Sequence, residues 1–542
     1  MTKTVIAGAI GECVHVAGVS NFLRLAESAG WRTVFLGPAV PPEEFIAAAK
    51  REKADLVGVS YRLTPETGER LLGEFAEAAS DLHESGVRFV FGGTPPVAQR
   101  AEALGMFFEK FFDGSQPMDE VLAFLRGETR ADNDTLNYPQ DLISRIAWKT
   151  PYPLLRHHFG LPTMEASLDG IAKIAEAKAL DVISLGIDQD AQENFFHPER
   201  QNPRAKGAGG VPVRSEQDYR DLFAASRRGN FPLMRTYSGT DDFIRLAEMY
   251  VETINIAWCA IPLFWFNQMD GRGPIPLQES IREHQEVMAW YGSRGIPVEL
   301  NEPHHWGMRD ASDVVYVTSG YLSALNAKRM GVWDYIAQMM FNSPAGLSDA
   351  MDLARMLAIL ELIEPLEDET FHIWRQTRTG LLSYPLDDNA ARAHLAASIY
   401  VQMALKPHIV HIVGHTEADH AATAEDVIAA SRMARQAIEN ALRGQPDMLC
   451  DPKILKRKDH LVAEVKITLQ AIRNLGDGSD AALTDPHTLA EAVRVGILDA
   501  PQLKNNPFAP GAVRTRVLDG ACETVDENGK IIDEQTRLQN YL

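Results

Sequence analysis

TVIAGAIGECVHVAG, residues 4–18, opens as an apolar run from Thr4 to Gly8 and then breaks into a loop carrying Gly11, Cys13, His15 and Gly18. A short run rich in β-branched residues that stops at glycine reads as a buried strand ending in a loop. The same pattern recurs at Thr33 to Gly37, Leu56 to Ser60, Val87 to Phe91 and near Phe111. Between these runs lie amphipathic stretches of helical period, such as Ser20 to Ala29 and Pro65 to Ser85. This alternation predicts a doubly wound α/β domain, a parallel sheet covered on both faces by helices. Ligands of such sheets bind past the carboxyl ends of the strands, so chemistry is expected on the loops after Gly8, Ser60 and Phe91.

A chain of 542 residues is too long for one ordinary core and predicts two or three domains. Its 45% hydrophobic and 23% charged content is that of a soluble globular protein. The 53 Lys and Arg against 74 Asp and Glu leave a net charge of −21 without a basic block, which excludes nucleic acid and anionic lipid as expected partners. Met1 to Val5 lack a basic leader and no run reaches about 18 apolar residues, so neither export nor membrane spanning is expected. Cys13, Cys259, Cys450 and Cys522 are scattered without a C-x-x-C pair, which argues against disulfides, a cysteine zinc site or an iron-sulfur cluster and makes a reducing cytoplasm the default location.

From Gly127 the chain turns polar and irregular (GETRADNDTLNYPQD), which predicts a domain at 1–130 and a linker at 131–160. Further on, apolar runs recur at Asp181 to Ile187, Ile254 to Ile261, Ile296 to Leu300, Tyr335 to Phe341 and Ile409 to Val413, separated by helical segments such as Leu277 to Gly292 and Ala311 to Met330. Repeated strand and helix units predict a (β/α)8 TIM-type barrel over 161–475, its active site at the carboxyl ends of the strands. The Gly-, Asp-, Asn- and Pro-richer tail, 476–542, is expected to pack on the barrel as an extension.

Three features fall on three of the predicted strand ends: Gly11-Glu12-Cys13-Val14-His15-Val16-Ala17-Gly18, Ser60-Tyr61-Arg62-Leu63-Thr64 and Gly92-Gly93-Thr94-Pro95. Together they resemble the flavodoxin-like B12-binding fold of cobalamin mutases and methyltransferases, whose signature is D-x-H-x-x-G, S-x-L and G-G. The resemblance implies a corrinoid cofactor bound by Cys13, His15, Gly18, Ser60, Leu63, Gly92 and Gly93, with His15 the axial ligand of its cobalt. Neutral imidazole suits that metal, and small residues let a ligand approach the backbone closely. Cys13 stands where the family has aspartate, the residue that orients the imidazole. Either the thiol or Glu12 is left for that role.

The rest of the chain resembles the large subunit of glutamate mutase (methylaspartate mutase), in patches from about 200 to 515. Gly209-Gly210-Val211-Pro212 is similar to R-G-G-x-P, Met234-Arg235 with Gly239-Thr240-Asp241-Asp242 to I-R-H-G-T-P-D, and Ile275-Pro276-Leu277-Gln278-Glu279-Ser280-Ile281 to V-P-L-E-K-S-I. Asn301-Glu302-Pro303, Glu417-Ala418 with Thr423-Ala424-Glu425, Leu475-Gly476-Asp477-Gly478 and Gly496-Ile497-Leu498-Asp499 follow in the family's order. The resemblance implies an adenosylcobalamin-dependent carbon-skeleton mutase, in which Arg235 holds a substrate carboxylate and Glu417 the adenosyl ribose. Other family features are missing. The arginine of R-G-G is Ala208 here, and Phe264 to Met269 hold no tyrosine. A small carboxylic or amino acid other than glutamate is therefore the expected substrate.

Histidines stand out instead: His304 and His305 beside Glu302, and His415 and His420 around Glu417 and Asp419. His304, His305 and His415 are candidates to polarise or protonate the substrate, the clusters could hold a second metal, and the alternative is a hydrogen-bonded structural role. Asp188, Asp190, Arg375 and Arg378 are further candidates for substrate contact, with Arg375 and Arg378 read as following a helix. Two rival readings remain, a methylcobalamin-dependent methyltransferase and a corrinoid-binding protein without turnover. The resemblance further implies a homodimer and a reactivating chaperone as partners.

Overall fold

Every residue of β1 (Thr4–Ile10) is buried, as the central strand of a sheet covered on both faces must be. The computed structural model describes residues 2–103, 105, 107–116, 118–127 and 138–542, and these form two compact units divided between Asn137 and Tyr138. In the first unit β1 is joined by β2 (Arg32–Val40), β3 (Leu56–Tyr61), β4 (Arg88–Gly93) and β5 (Lys110–Phe112). All pair in parallel in the order β2-β1-β3-β4-β5. Winding reverses between β1 and β3, so the loops leaving their carboxyl ends diverge and open a crevice. This is the flavodoxin-like sheet the alternating pattern predicts.

The second unit is a barrel of eight parallel strands: β6 (Leu154–Phe159), β7 (Val182–Leu185), β8 (Leu233–Arg235), β9 (Cys259–Ile261), β10 (Val298–Leu300), β11 (Asp334–Phe341), β12 (His372–Thr379) and β13 (Ile409–Ile412). Each strand pairs with the next in the chain except at β8 and β9, and β13 pairs back onto β6. The Tyr237–Ala260 bridge and the Ala257 N–H donated to Met234 O close the seam between β8 and β9.

Several expected boundaries shift. Residues 131–137 of the expected linker lie outside the described residues, and the rest of it is structure: the helix Leu142–Lys149 and β6 belong to the barrel, which starts before 161. Ile254 ends a helix rather than starting a strand. Arg375 and Arg378 lie on β12, not after a helix; its sequence HIWRQTRT has no apolar run because its inward positions carry polar groups. In the extension, β14 (Thr515–Leu518) and β15 (Ala521–Thr524) form a hairpin whose turn residues Asp519 and Gly520 both have positive φ, the geometry of a two-residue type I′ turn. Arg457 ties this hairpin to the barrel, donating to Glu523 at 2.6 Å and to Asp313 at 2.9 Å.

The period-two alternation of strand side chains fills the barrel in layers. Leu154, Val182, Leu233, Trp258, Ile336 and Ile409 form an apolar plug toward the amino ends. The next inward positions are polar: Arg156, Ser184, Arg235, Glu299, Gln338, Gln376 and His411 are all buried. Arg156 Nη1 donates to Glu299 Oε2 at 2.8 Å and to Gln376 Oε1 at 2.8 Å, while Trp258 Nε1 and Gln338 Nε2 donate to Glu299 at 2.7 and 3.1 Å. Because β6 and β10 are four strands apart in an eight-stranded ring, the Arg156–Glu299 pair spans the barrel. Burial alone would raise the pKa of Glu299, but Arg156, Arg235 and the Trp258 N–H hold it below the ordinary carboxylate value.

Glu302 locks the loops after β9 and β10 together. Its Oε2 accepts the N–H of Leu263 at 2.5 Å and of Phe264 at 3.2 Å, and its Oε1 that of Trp306 at 3.0 Å. Burial outweighs these donors and raises its pKa to about 7. The folded chain thus holds the Glu302 proton more tightly than the unfolded chain, for which the value is 4.5. That contribution to stability, on the order of 3 kcal/mol, is complete below about pH 4.5 and lost as the pH rises through about 7. The difference in melting temperature between wild type and Glu302→Ala should therefore shrink as the pH is raised across this window. Glu299→Gln, which leaves Arg156 buried without its counter-charge, should cost about 3 to 5 kcal/mol by denaturant unfolding.

Candidate functional site

In the first unit the loop after β1 is pinned from both sides. Gly11 turns at a φ of +66°, where a Cβ would lie 2.8 Å from the Leu71 side chain, and its N–H donates to Val40 O at 2.9 Å. The Ala39 N–H donates to Cys13 O at 2.9 Å. Cys13 is thereby driven into the core, fully buried against Ile10 and Val40, while His15, two residues on, stands exposed. The Cys13 Sγ lies 3.9 Å from His15 Nδ1. Of the two candidates for orienting the imidazole, the thiol therefore faces it, and Glu12 points to solvent.

The expected glycines divide by cause. Gly93 is packed, since a Cβ there would come within 2.8 Å of both Tyr61 O and the Phe91 ring. Gly18 and Gly92 are not: a Cβ at Gly18 meets nothing within 4 Å, and one at Gly92 only Phe112 O at 3.9 Å and Ser60 Oγ at 4.0 Å. Small residues that the fold does not require leave room for something else to approach. Ser60 is buried at the end of β3, and Leu63 and Val14 expose apolar side chains at 40% and 62% beside the same strand ends. An outward imidazole, open glycines, a hydroxyl and apolar contacts fit a corrinoid with a ligand supplied by the protein.

In the barrel Arg235 is wholly buried, and its Nε donates to Ser184 Oγ at 3.0 Å, but Nη1 and Nη2 have no hydrogen-bond partner among the described residues. It lies over the rings of Tyr237 and Trp258. Arg378, one step up β12 from Gln376, is also buried and donates its Nε to Thr379 O at 3.3 Å. Burial, with the charges of Arg156, Arg235 and Arg378, holds the rings of His158 and His411 well below the ordinary histidine pKa. His158 Nε2 accepts from Arg156 Nη2 at 3.1 Å, and the Tyr237 hydroxyl approaches it at 3.3 Å. None of Arg156, His158, Tyr237, Glu299 or His411 is flagged by a sequence motif. For all but Tyr237, which follows β8, inward register on short strands is the signal that locates them.

His304 and His305 stack at 4.3 Å between ring centres just past β10, both buried. His304 Nδ1 meets Gln338 Oε1 at 3.2 Å and His305 Nδ1 accepts from Arg272 Nη2 at 3.3 Å. Burial first, then Arg378 for His304 and the neighbouring His304 for His305, depresses both pKa values well below normal, so both are neutral rings that can donate or accept but carry no labile charge. Glu417 is exposed past the end of β13, its pKa raised by partial desolvation against the pull of Arg378. His415 does not join this group; its Nε2 faces Asp388 and Asp426, at the amino ends of two outer helices. Asp188 is likewise removed from the substrate candidates, since Arg214 grips both its oxygens at 2.8 and 2.7 Å, and Asp190 accepts from the Asn202 N–H. Among the described residues, the one compact trio with cation-binding geometry is His197, Asp241 and Asp242, not the expected histidine clusters; His197 Nε2 there already pairs with Asp242 at 2.8 Å.

No helix among the described residues is long and apolar enough to cross a membrane. Residues 3–122 match the model of the B12 binding domain family. The chain is 31% identical over 129 residues to glutamate mutase sigma subunit 1 of Haloarcula marismortui, an alignment covering 23% of this chain and 85% of that protein. It is 31% identical over 134 residues to the glutamate mutase sigma subunit of Clostridium tetanomorphum, covering 22% and 96%. Among solved structures, a cobalamin-binding protein from Desulfitobacterium hafniense is 21% identical over 23% of this chain and 58% of its own, with a TM-score of 0.20. A 3-deoxy-D-arabino-heptulosonate 7-phosphate synthase from Thermotoga maritima is 12% identical over 54% and 88%, with a TM-score of 0.32. Through its first unit the chain belongs to the B12-binding domain family and is a homologue of the glutamate mutase sigma subunits.

Proposed function

We propose that the chain is an adenosylcobalamin-dependent carbon-skeleton mutase resembling glutamate mutase, acting on a small carboxylic or amino acid. The observation that carries this reading is Arg235, a guanidinium with two buried, unpartnered nitrogens inside a barrel that shares its chain with a B12-binding domain. A planar fork with both Nη groups unpaired suits one carboxylate held bidentately. Arg378 adds a second interior cation whose hydrogen bond goes to a neutral carbonyl.

His15 would hold the cobalt, Cys13 would orient its ring, and Gly18, Ser60, Leu63, Gly92 and Gly93 would line the crevice for the rest of the corrinoid. When bound, adenosylcobalamin supplies reversible hydrogen-atom abstraction through homolysis of its cobalt–carbon bond. The chain's own residues do the rest. Arg235 fixes the substrate's carboxylate, and the ring walls of Tyr237 and Trp258 keep water from it. His304 and His305, neutral at physiological pH, polarise the substrate by hydrogen bonding rather than by proton donation from an imidazolium. Glu417 would hold the adenosyl ribose, as the motif around it implies.

Two experiments test this reading. Purified protein given adenosylcobalamin should show a base-off spectrum with histidine bound, and His15→Ala should lose it; an unchanged spectrum in the variant refutes the ligand assignment. With a panel of small acids, electron paramagnetic resonance should reveal a cob(II)alamin and organic radical signal for one of them, and silence across the panel overturns the mutase. With that substrate, Arg235→Met should lower kcat/KM about 100-fold, the loss of about 3 kcal/mol of charged hydrogen bonding. The same substitution should raise the melting temperature, because it removes a buried guanidinium whose Nη1 and Nη2 have no hydrogen-bond partner among the described residues.

A further inference from the structure

Around the Arg156–Glu299 pair the barrel lumen holds two further cations with donors to spare. Arg235 ends β8 and is wholly buried, its Nη1 and Nη2 unpartnered among the described residues. Arg378, 3% exposed on β12, makes one hydrogen bond among them, from Nε to Thr379 O at 3.3 Å, and no ion pair. Because β8 and β12 are four strands apart in the eight-stranded ring, the two guanidiniums reach inward from opposite walls. Three rings join them. The Arg235 guanidinium carbon lies 5.1 Å from the centre of the Tyr237 ring, Tyr237 stacks on His158 at 5.3 Å, and His158 meets His411 at 5.0 Å. His411 is in turn the register partner of Arg378 on the neighbouring strand. The result is a floor of polar rings with a guanidinium at each end.

The charge balance decides what such a floor accepts. Three guanidiniums, those of Arg156, Arg235 and Arg378, act on one interior carboxylate, Glu299, which leaves two positive charges over. His158 and His411 add none, since burial and these same cations strip their protons. Asp188, Asp270 and Glu302, the acids that follow β7, β9 and β10, are already engaged. Arg214 grips the first, Arg272 and the N–H groups of Phe266 and Asn267 the second, and Trp306 with the N–H groups of Leu263 and Phe264 the third. Glu417, past β13, stands exposed at the rim. An ammonium group entering the lumen would meet surplus positive charge, and none of these carboxylates is free inside to receive it. A carboxylate would find unpaired donors at either end of the floor.

We propose that the substrate of the barrel is a small dicarboxylic acid without an amino group, one carboxylate held by Arg235 and the other by Arg378 across the rings of Tyr237, His158 and His411. The inference rests on the reading of the barrel as a mutase and narrows its small carboxylic or amino acid to one class, with Arg378 as the residue that selects it. Each guanidinium is a planar fork suited to one carboxylate. A monocarboxylic acid would satisfy Arg235 and leave Arg378 buried with a single carbonyl. An amino acid would in addition place an ammonium between two like charges.

The test is isothermal titration calorimetry on the full-length chain, with and without adenosylcobalamin. The probes are matched: succinate, methylsuccinate and glutarate as diacids, aspartate and glutamate as the corresponding amino acids, butyrate and valerate as monoacids. At least one diacid should bind about 10-fold or more tighter than the amino acid and the monoacid of its length. Arg378→Gln should weaken that diacid by roughly 10- to 100-fold, to the level of the monoacid, the loss expected for charged hydrogen bonds. An amino acid bound as tightly as its matched diacid, or no binding of any diacid, overturns the inference, as does Arg378→Gln with diacid affinity intact. The comparison within wild type needs no variant, so it decides the matter should Arg378→Gln fail to fold. Diacid binding without a radical signal from any bound diacid sinks the mutase and leaves the binding class standing. A radical signal raised by an amino acid alone sinks the diacid and leaves the mutase.

Discussion

The Arg156–Glu299 pair is the constraint on which the barrel interior turns. It crosses the ring from β6 to β10 and gathers Trp258, Gln338 and Gln376 onto one carboxylate. Desolvating such a pair costs several kcal/mol per ion, offset here because both Glu299 oxygens accept hydrogen bonds. One carboxylate nevertheless faces three interior guanidiniums, those of Arg156, Arg235 and Arg378. Glu299 is hydrogen-bonded to Arg156 alone among them, so the three guanidiniums exceed the one acid that offsets them. Excess buried charge of this kind costs stability rather than adding to it.

That excess also decides what the surrounding groups can do. His158, His304, His305 and His411 all lie where burial and cationic neighbours strip the proton from an imidazole. A cluster that looks from its composition like a reservoir of acid catalysts is therefore a set of neutral, directional donors and acceptors. His415 stands at the rim with Asp388 and Asp426 before it, and burial and Arg392 outweigh these carboxylates and hold its pKa below the ordinary value as well. Histidines close in sequence thus fall into different chemical settings, because the end of a barrel strand sends successive side chains to the lumen, the rim and the outer helices.

In the first unit the fold separates glycines that packing requires from glycines that it does not. Gly11 and Gly93 are needed for a turn and a close contact, while the open faces at Gly18 and Gly92 serve no packing purpose. The backbone of Cys13 is held by Ala39 and Ile10, so the path of its loop does not rest on its side chain.

The five-stranded sheet was legible because its strands are buried on both faces and read as continuous apolar runs broken by glycine at the ligand-binding ends. The loop of His15 and the glycines of β4 could be named on the same basis. Much of the barrel could also be read, but β6, β8 and β12, LLRHHF, LMR and HIWRQTRT, escaped notice: their inward positions carry charge, so no hydrophobic period marks them. Sequence alone thus determined the two-part architecture and the B12-binding character of the first unit, both of which depend on local pattern. Only tertiary structure decided that Arg378 faces inward, that Asp188 is already gripped by Arg214, that Glu299 stands alone among arginines and that His415 looks at two carboxylates. These are relations between side chains brought together from distant strands and helices, and the closing of the ring, not the order of residues, determines which of them meet.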